Sequence, residues 1–268
     1  MKAAVFYKPF DIRIEEIKTP EPKEGEVLIK IKSASVCGTD LHIYQGKVDI
    51  KTPLVLGHDG SGVIEKLGKG VSNFKFCRAG KRNLCKKANY IGFETNGSFA
   101  EYLLAPANCI FKIPRNVSFD EAAIVEPIEL ALHTIEILKP KKQEVIAIIG
   151  QGPIGLTATQ IAKISGLRVI VIDKNKEKLG LSKKLGADFV IDASKRNIEK
   201  EVLKLVNDGV DYTIEAVGSQ PTIDVSTKIT KPLGKIAVLG EGKDLRGPLL
   251  EHTCEQTILT PVSGSGWD

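Results

Sequence analysis

Residues 144–173, EVIAIIGQGPIGLTATQIAKISGLRVIVID, constrain this chain more than any other stretch. The apolar run at 145–149 reads as a buried strand. Its exit is Gly150-Gln151-Gly152-Pro153-Ile154-Gly155, followed by a helical pattern and a second apolar run at 169–172 that closes on Asp173. Gly150 permits the tight turn out of the strand. Gly152 has no side chain to keep a pyrophosphate from the backbone, and Gly155 lets helix and strand pack closely. Pro153 suits the first helical position, where its missing N–H is not needed, and Ile154 completes the motif. Phosphates would sit against unpaired N–H groups at the positive end of the helix dipole. With a strand before it, a helix after it and an acid ending the next strand, this is the layout of a dinucleotide-binding turn.

Asp173 lies eighteen residues beyond Gly155. A carboxylate there accepts bonds from the adenosine ribose hydroxyls and repels a 2′-phosphate, which favours NAD over NADP. The plainer role for Asp173 is to cap the next helix. Lys174 and Lys178 are cations close enough to tolerate an extra phosphate, and Lys178 is counted with the cofactor-binding set.

The rest of the chain divides around this unit. Short β-branched or alternating runs at 3–7, 12–17, 27–31, 62–67 and 99–104 are separated by Pro- and Gly-containing clusters such as Thr19-Pro20-Glu21-Pro22-Lys23-Glu24-Gly25. An irregular β-barrel accounts for them. Ser118-Phe119-Asp120-Glu121 has the form of a capping box, and Pro127 should break or kink the helical pattern behind it. The polar, Pro-containing segment 139–143 marks a domain junction, giving domains 1–138 and 139–268. Beyond it, helices at 176–185, at 198–206 behind an Asn197 cap, and at 223–230 alternate with strands at 189–192, 212–217, 235–239 and 256–262. Sequential strand–helix units of this kind specify a parallel, doubly wound sheet. The fold class is therefore α/β with a β-rich N-terminal domain.

Composition narrows the function classes. The chain has 268 residues, 42% hydrophobic and 26% charged, as an ordinary globular protein does. It has no apolar run long enough to span a bilayer, and its first residues become polar too soon for a secretory signal, so a cytoplasmic enzyme is expected with no membrane partner. The net charge of +5 is modest. The basic clusters at 78–87 and 139–142 lack interleaved aromatics, which reads as solvated surface rather than a nucleic-acid interface. Five cysteines, at 37, 77, 85, 109 and 254, form no disulfide framework and point to a reducing compartment. The high Lys and Ile content with a single Met hints at a thermophile.

Chemistry-bearing residues gather in the first half, in Cys37-Gly38-Thr39-Asp40-Leu41-His42 and Gly57-His58-Asp59. A thiolate, an imidazole and a carboxylate on loops of a β-domain can serve as three ligands of tetrahedral zinc, and Glu126, beside the helix break, is a fourth candidate. Spacing leaves the bland reading open as well: a buried thiol and a satisfied histidine.

Taken together, Cys37-Gly38-Thr39-Asp40-Leu41-His42, Leu56-Gly57-His58, Gly97-Ser98-Phe99-Ala100-Glu101-Tyr102, Val125-Glu126-Pro127 and the 150–173 unit resemble the zinc-containing medium-chain dehydrogenases, nearest the sorbitol, threonine and butanediol dehydrogenase branch. They occur in family order over nearly the whole chain. The resemblance implies a GroES-like barrel followed by a Rossmann sheet, with one catalytic zinc and NAD. Cys37 and His58 would hold the zinc, with Glu126 matching the acid that binds the metal or its water. Thr39 would take the alcohol proton and His42 would be the outer member of the relay. The substrate would be a small secondary alcohol, polyol or threonine-like molecule. A homo-oligomer would form through the Rossmann sheet edge near 256–266.

Three departures from the family pattern stand out. Asp59 follows His58 where the branch carries Glu, one methylene longer. Only Cys77 and Cys85 remain of the four cysteines of a structural-zinc lobe, and two thiolates do not close a tetrahedral site, so a structural zinc is expected to be absent. The chain also stops at Gly264-Ser265-Gly266-Trp267-Asp268, before the family's return to the catalytic domain. These departures motivate the alternative expectation of a homologue that binds nucleotide without chemistry. Retention of Cys37 and His58 argues against a zinc-free quinone-reductase relative.

Overall fold

A computed structural model describes residues 1–71, 90–195, 197–242 and 255–261. The expectations for Cys77, Cys85 and the structural-zinc lobe fall outside them. The chain folds as two compact units, one comprising Met1–Glu126 and a second that begins at Pro127.

In the first unit, β1 (Lys2–Lys8) pairs antiparallel with β2 (Asp11–Glu16), and β3 (Glu26–Ser33) pairs with β5 (Ser61–Leu67) and β6 (Tyr102–Pro106). The two-residue strand β4 (Leu54–Val55) completes the first sheet, giving the orders β2-β1-β4 and β5-β3-β6. Two small antiparallel sheets with register shifts in β1–β2 and β3–β5 make the irregular barrel expected from the alternating runs. The segment expected as a strand at 99–104 begins its regular pairing only at Tyr102. Before it, Phe99 accepts a bond from the Ala4 N–H and Ala100 bridges to Ala3. The helix α1 (Gly38–Tyr44) is not evident from the sequence, because its seven residues are too few to show a helical period.

The Ser118 capping box forms as expected: Ser118 N–H donates to the Glu121 carboxylate at 2.8 Å and Glu121 N–H donates to Ser118 Oγ at 3.2 Å. The helical pattern behind it breaks at Ile124, three residues before the proline. It gives α2 (Phe119–Ala123) and α3 (Val125–Leu138), so Pro127 sits in the first turn of α3, where a missing N–H leaves no bond unmade.

The second unit is a six-stranded, all-parallel sheet in the order β12-β11-β10-β7-β8-β9. Its strands are β7 (Val145–Ile149), β8 (Arg168–Asp173), β9 (Phe189–Asp192), β10 (Val210–Glu215), β11 (Thr230–Val238) and β12 (Thr257–Leu259). Helices α4 (Pro153–Ile164), α5 (Lys176–Lys184), α6 (Ile198–Leu205) and α7 (Gln220–Ile229) connect them. From β7 the chain runs outward through β8 to β9, then returns to pair β10 with the other side of β7. Read in chain order, the sheet is 3-2-1-4-5-6, the doubly wound Rossmann arrangement, with its topological switch between β7 and β10. Every residue of β7 is buried, as a central strand covered on both faces must be. Ile146 and Ile148 pack toward one hydrophobic cluster with α3 and α4, and Val145, Ala147 and Ile149 toward another with α6. The last two strands differ from expectation in extent: β11 starts earlier, at Thr230, and β12 is confined to Thr257–Leu259. No helix among the described residues is long and apolar enough to cross a membrane.

Outside the core, Asp188 joins α4 to the start of β8. Its carboxylate accepts from Lys163 Nζ at 2.8 Å and from Val169 N–H at 2.7 Å. Partial burial opposes its charge, but these donors prevail and hold the pKa below its ordinary value of 3.8. The stability contributed is therefore in place above that value and lost as pH falls through the lower, folded-state pKa. Lys163→Met is expected to lower stability to urea at neutral pH, with the difference from wild type narrowing below about pH 4. In the core, Ile148→Ala should cost about 2–5 kcal/mol in the same measurement.

Candidate functional site

Two loops of the first unit carry the candidate ligands, and one carboxylate joins them. Cys37 is the N-cap of α1 and Asp40 is its third helical residue. Asp40 is only 4% exposed. Its Oδ2 accepts the Cys37 N–H at 2.9 Å, and its Oδ1 accepts the Gly57 N–H at 3.3 Å and lies 3.5 Å from His58 Nδ1. Sequence reasoning does not single out Asp40. Its signal is an acid three residues after the cap, the position from which a side chain reaches back to the cap's N–H.

The second loop is held by backbone crossing over backbone. A Cβ at Gly97 would lie 2.0 Å from the Gly57 carbonyl oxygen, and one at Gly92 would lie 2.6 Å from it. Gly57 itself has φ +90°, a left-handed conformation suited to glycine. This crossing fixes the backbone entering His58, and Phe93 then packs its ring 5.1 Å from the imidazole.

Cys37 lies within hydrogen-bonding reach of His58. Cys37 Sγ is also 3.8 Å from Thr39 Oγ1, which brings the expected proton acceptor beside the expected thiolate. Asp59 is buried and accepts from Ser35 Oγ at 3.0 Å. Burial pushes its pKa up to about 6, His58 opposes the rise, and Glu126 adds to it. Glu126, at the start of α3, is thus within electrostatic reach of Asp59. His42 occupies the last turn of α1, half-buried.

For His58, burial disfavours the charged imidazole. Asp40, Cys37 and Asp59 outweigh it and push the pKa up to about 10. Among the described residues no three His, Cys, Asp or Glu side chains converge as a finished metal site. The donor chemistry nevertheless fits zinc. A thiol and an imidazole are already adjacent, two carboxylates stand nearby, and their combined field favours a cation between them. The His58 Nδ1 is buried without a hydrogen-bond partner of good geometry and faces Asp40 at the edge of bonding distance. A carboxylate on that side of a metal-binding imidazole orients the ring and fixes its tautomer.

The glycine-rich turn lies in the second unit, at the carboxyl end of β7 beside the topological switch. Gly150 has φ +91°, and Gly152 is the N-cap of α4, with Pro153 at the start of the helix. Among the described residues nothing lies within 4 Å of where a Gly152 Cβ would stand, whereas a Gly155 Cβ would be 1.8 Å from the Gly150 carbonyl oxygen. The open space at Gly152 faces the unpaired N–H groups of a twelve-residue helix, which suits a phosphate. Ile154 packs against the core cluster beneath the turn. Asp173 receives the Gln151 N–H on Oδ2 at 2.6 Å and the Asn175 N–H on Oδ1 at 2.8 Å. Capping of α5 is done by Asn175, which accepts from Glu177 and Lys178 N–H, so the carboxylate of Asp173 is not the cap. Lys178 is exposed in the first turn of α5.

Glu215, across the switch at the end of β10, is likewise invisible to sequence reasoning. It is fully buried and accepts from Val217 N–H, Gly218 N–H and Thr222 Oγ1 at 2.9, 3.0 and 2.7 Å. It thereby shapes the loop that borders Gly150, whose missing Cβ would lie 2.6 Å from Val217 Cγ2.

Comparison with known proteins gives two family matches. Residues 23–115 match the alcohol dehydrogenase GroES-like domain, and residues 153–257 match the zinc-binding dehydrogenase domain. The chain is 31% identical over 264 residues to an L-threonine 3-dehydrogenase of Pyrococcus furiosus, covering 90% of this chain and 76% of that protein. A sorbitol dehydrogenase of Bacillus subtilis is likewise 31% identical over 264 residues, covering 90% of this chain and 75% of that protein. Among solved structures, a short chain alcohol dehydrogenase from Escherichia coli complexed with NADH superposes with a TM-score of 0.88 at 28% identity, over 98% of this chain and 84% of that one.

The two glycines of the turn separate folding from binding. Gly152→Ala is expected to leave the thermal unfolding midpoint within about a degree or two of wild type, the range of a neutral surface change. Gly155→Ala should cost about 1–3 kcal/mol, since the Gly150 carbonyl must move.

Proposed function

The chain belongs to the zinc-type medium-chain alcohol and polyol dehydrogenase family, and we propose that it oxidises a small secondary alcohol, polyol or threonine-like substrate with NAD. The observation that carries the proposal is the pairing of Cys37 with His58 under a shared Asp40 carboxylate. That arrangement belongs to the first unit, not to the nucleotide-binding turn, and gathers the donor types that a zinc ion takes.

Cys37, His58 and either Asp59 or Glu126 are the residues that would hold the zinc. When bound, zinc supplies a Lewis acid that lowers the pKa of an alcohol, and the nicotinamide supplies a hydride acceptor. Asp40 orients His58 and braces the Cys37 loop. Thr39, beside Cys37, takes the alcohol proton and His42 passes it outward. Asp59, one methylene shorter than the usual glutamate, is tied to Ser35, which supports the role of a charge beside the metal rather than a ligand. Gly150, Gly152, Pro153, Ile154 and Gly155 form the pyrophosphate cradle. Asp173 accepts the ribose hydroxyls with the lone pairs its two backbone donors leave free. Its negative charge is the basis for preferring NAD, with Lys178 the nearest cation that would offset a 2′-phosphate. The exposed edge strand β12 is the surface proposed for a homo-oligomer, and the cytoplasm the proposed location.

The test is zinc analysis of the purified protein together with NAD and NADP reduction over secondary alcohols, polyols and threonine. Turnover that disappears in Cys37→Ser supports the reading. A zinc-free protein, inert toward every alcohol but still binding NAD, would leave only the nucleotide-binding alternative. Asp40→Asn is expected to lower zinc affinity or kcat/KM by about 10–100-fold. Gly152→Ala, stably folded, should weaken NAD binding by about tenfold or more through loss of the phosphate's approach to the backbone.

A further inference from the structure

The residue between the first two glycines of the turn carries a second structure. Gln151 is fully buried although its side chain is polar. Its Oε1 accepts from Thr159 Oγ1 on α4 at 3.1 Å and from Ser182 Oγ on α5 at 2.9 Å, and its Nε2 donates to the Ile148 carbonyl on β7 at 3.3 Å. Each hydroxyl also lies 2.8 Å from a carbonyl of its own helix, Gly155 for Thr159 and Lys178 for Ser182, so its one proton is shared between that carbonyl and Gln151 Oε1. One side chain thus ties together a strand and the two helices that flank the cofactor turn. On the backbone side, Gln151 N–H donates to Asp173 at 2.6 Å.

These two sets of bonds have one geometric consequence. The phosphate-facing N–H groups belong to the start of α4, and the ribose-facing carboxylate of Asp173 leads directly into α5. The β7–β8 pairing and the bond from Gln151 N–H to Asp173 set the separation of those two groups at the sheet, and the packing of α4 and α5 sets it on the helix side. Among the described residues Gln151 is the polar side chain that bonds both helices at once. A buried amide of this kind is costly unless every bond is made, so it favours a single arrangement of the three elements over looser apolar packing.

We propose that Gln151 is a positioning residue for the adenosine half of the dinucleotide, setting the spacing between the pyrophosphate cradle and Asp173 through its bonds to Thr159 and Ser182. The inference rests on reading the second unit as the dinucleotide-binding domain, and it is independent of the metal site.

The experiment compares wild type, Gln151→Met and Ser182→Ala for binding of ADP-ribose and NAD by calorimetry, for steady-state kinetics, and for thermal unfolding. Methionine keeps the length and fills the space without hydrogen bonds. Gln151→Met is expected to weaken ADP-ribose and NAD equally, by about tenfold, and Ser182→Ala by about threefold. KM for NAD should rise while kcat and KM for the alcohol hold. Unchanged ADP-ribose affinity in both variants, whatever their unfolding midpoints, overturns the proposal. Should Gln151→Met fail to fold, Ser182→Ala decides alone, because Ser182 belongs to neither the cradle nor the ribose acceptor. A wild type that binds ADP-ribose but oxidises no alcohol removes the catalytic reading and leaves this one standing.

Discussion

The first unit depends on one buried carboxylate. Asp40 accepts backbone N–H groups from two loops that are distant in sequence and faces the imidazole of His58, so the positions of the thiol and the ring are not independent. A buried anion is tolerated only when its lone pairs are filled and a positive charge is near. Backbone donors meet the first requirement at Asp40. A cation, whether a proton on His58 or a metal beside it, meets the second. The site is therefore built to hold positive charge before any substrate arrives.

The second unit obeys a different constraint, that of steric room. The turn after β7 places a glycine where the helix must touch the preceding carbonyl and another that no described residue approaches. Close contact at Gly155 and open space at Gly152 serve opposite ends: one seats the helix and the other leaves its terminus open. Gln151, between them, turns its side chain inward and fastens the same turn to the helices on either side. Glu215 does the corresponding work across the switch point, committing its carboxylate to the backbone of the 216–218 loop.

What can be read from sequence follows from how local each requirement is. The Gly150–Gly155 turn, the Ser118 box and the Asn197 cap are written within a few neighbouring residues, and all three form where expected. That the sheet is parallel and doubly wound follows from the alternation of strand and helix, whereas the order of its strands is seen only in the fold. Residue types alone make Cys37 and His58 candidate ligands beside a blander reading, and it is the resemblance that pairs them, because nothing local to either reports the other. Asp40, Gln151 and Glu215 are hidden because only the folded chain shows that each is buried; Gly57 for Asp40 and Ser182 for Gln151 lie on distant segments, while Glu215 bonds the loop that follows it and Thr222. The helix α1 is hidden because seven residues carry no period, and the break at Ile124 falls ahead of Pro127 because a proline is tolerated within a helix's first turn.

The crossing of Gly57 by Gly92 and Gly97 has an evolutionary corollary. Three positions without side chains must stay so together, since a methyl group at Gly92 or Gly97 would strike the backbone that carries His58. Invariance at these glycines among descendants of this chain would therefore record a constraint of shape, and would persist even in a lineage that had given up its chemistry. Drift at Cys37 or Thr39 over an unaltered glycine crossing would be the mark of such a lineage.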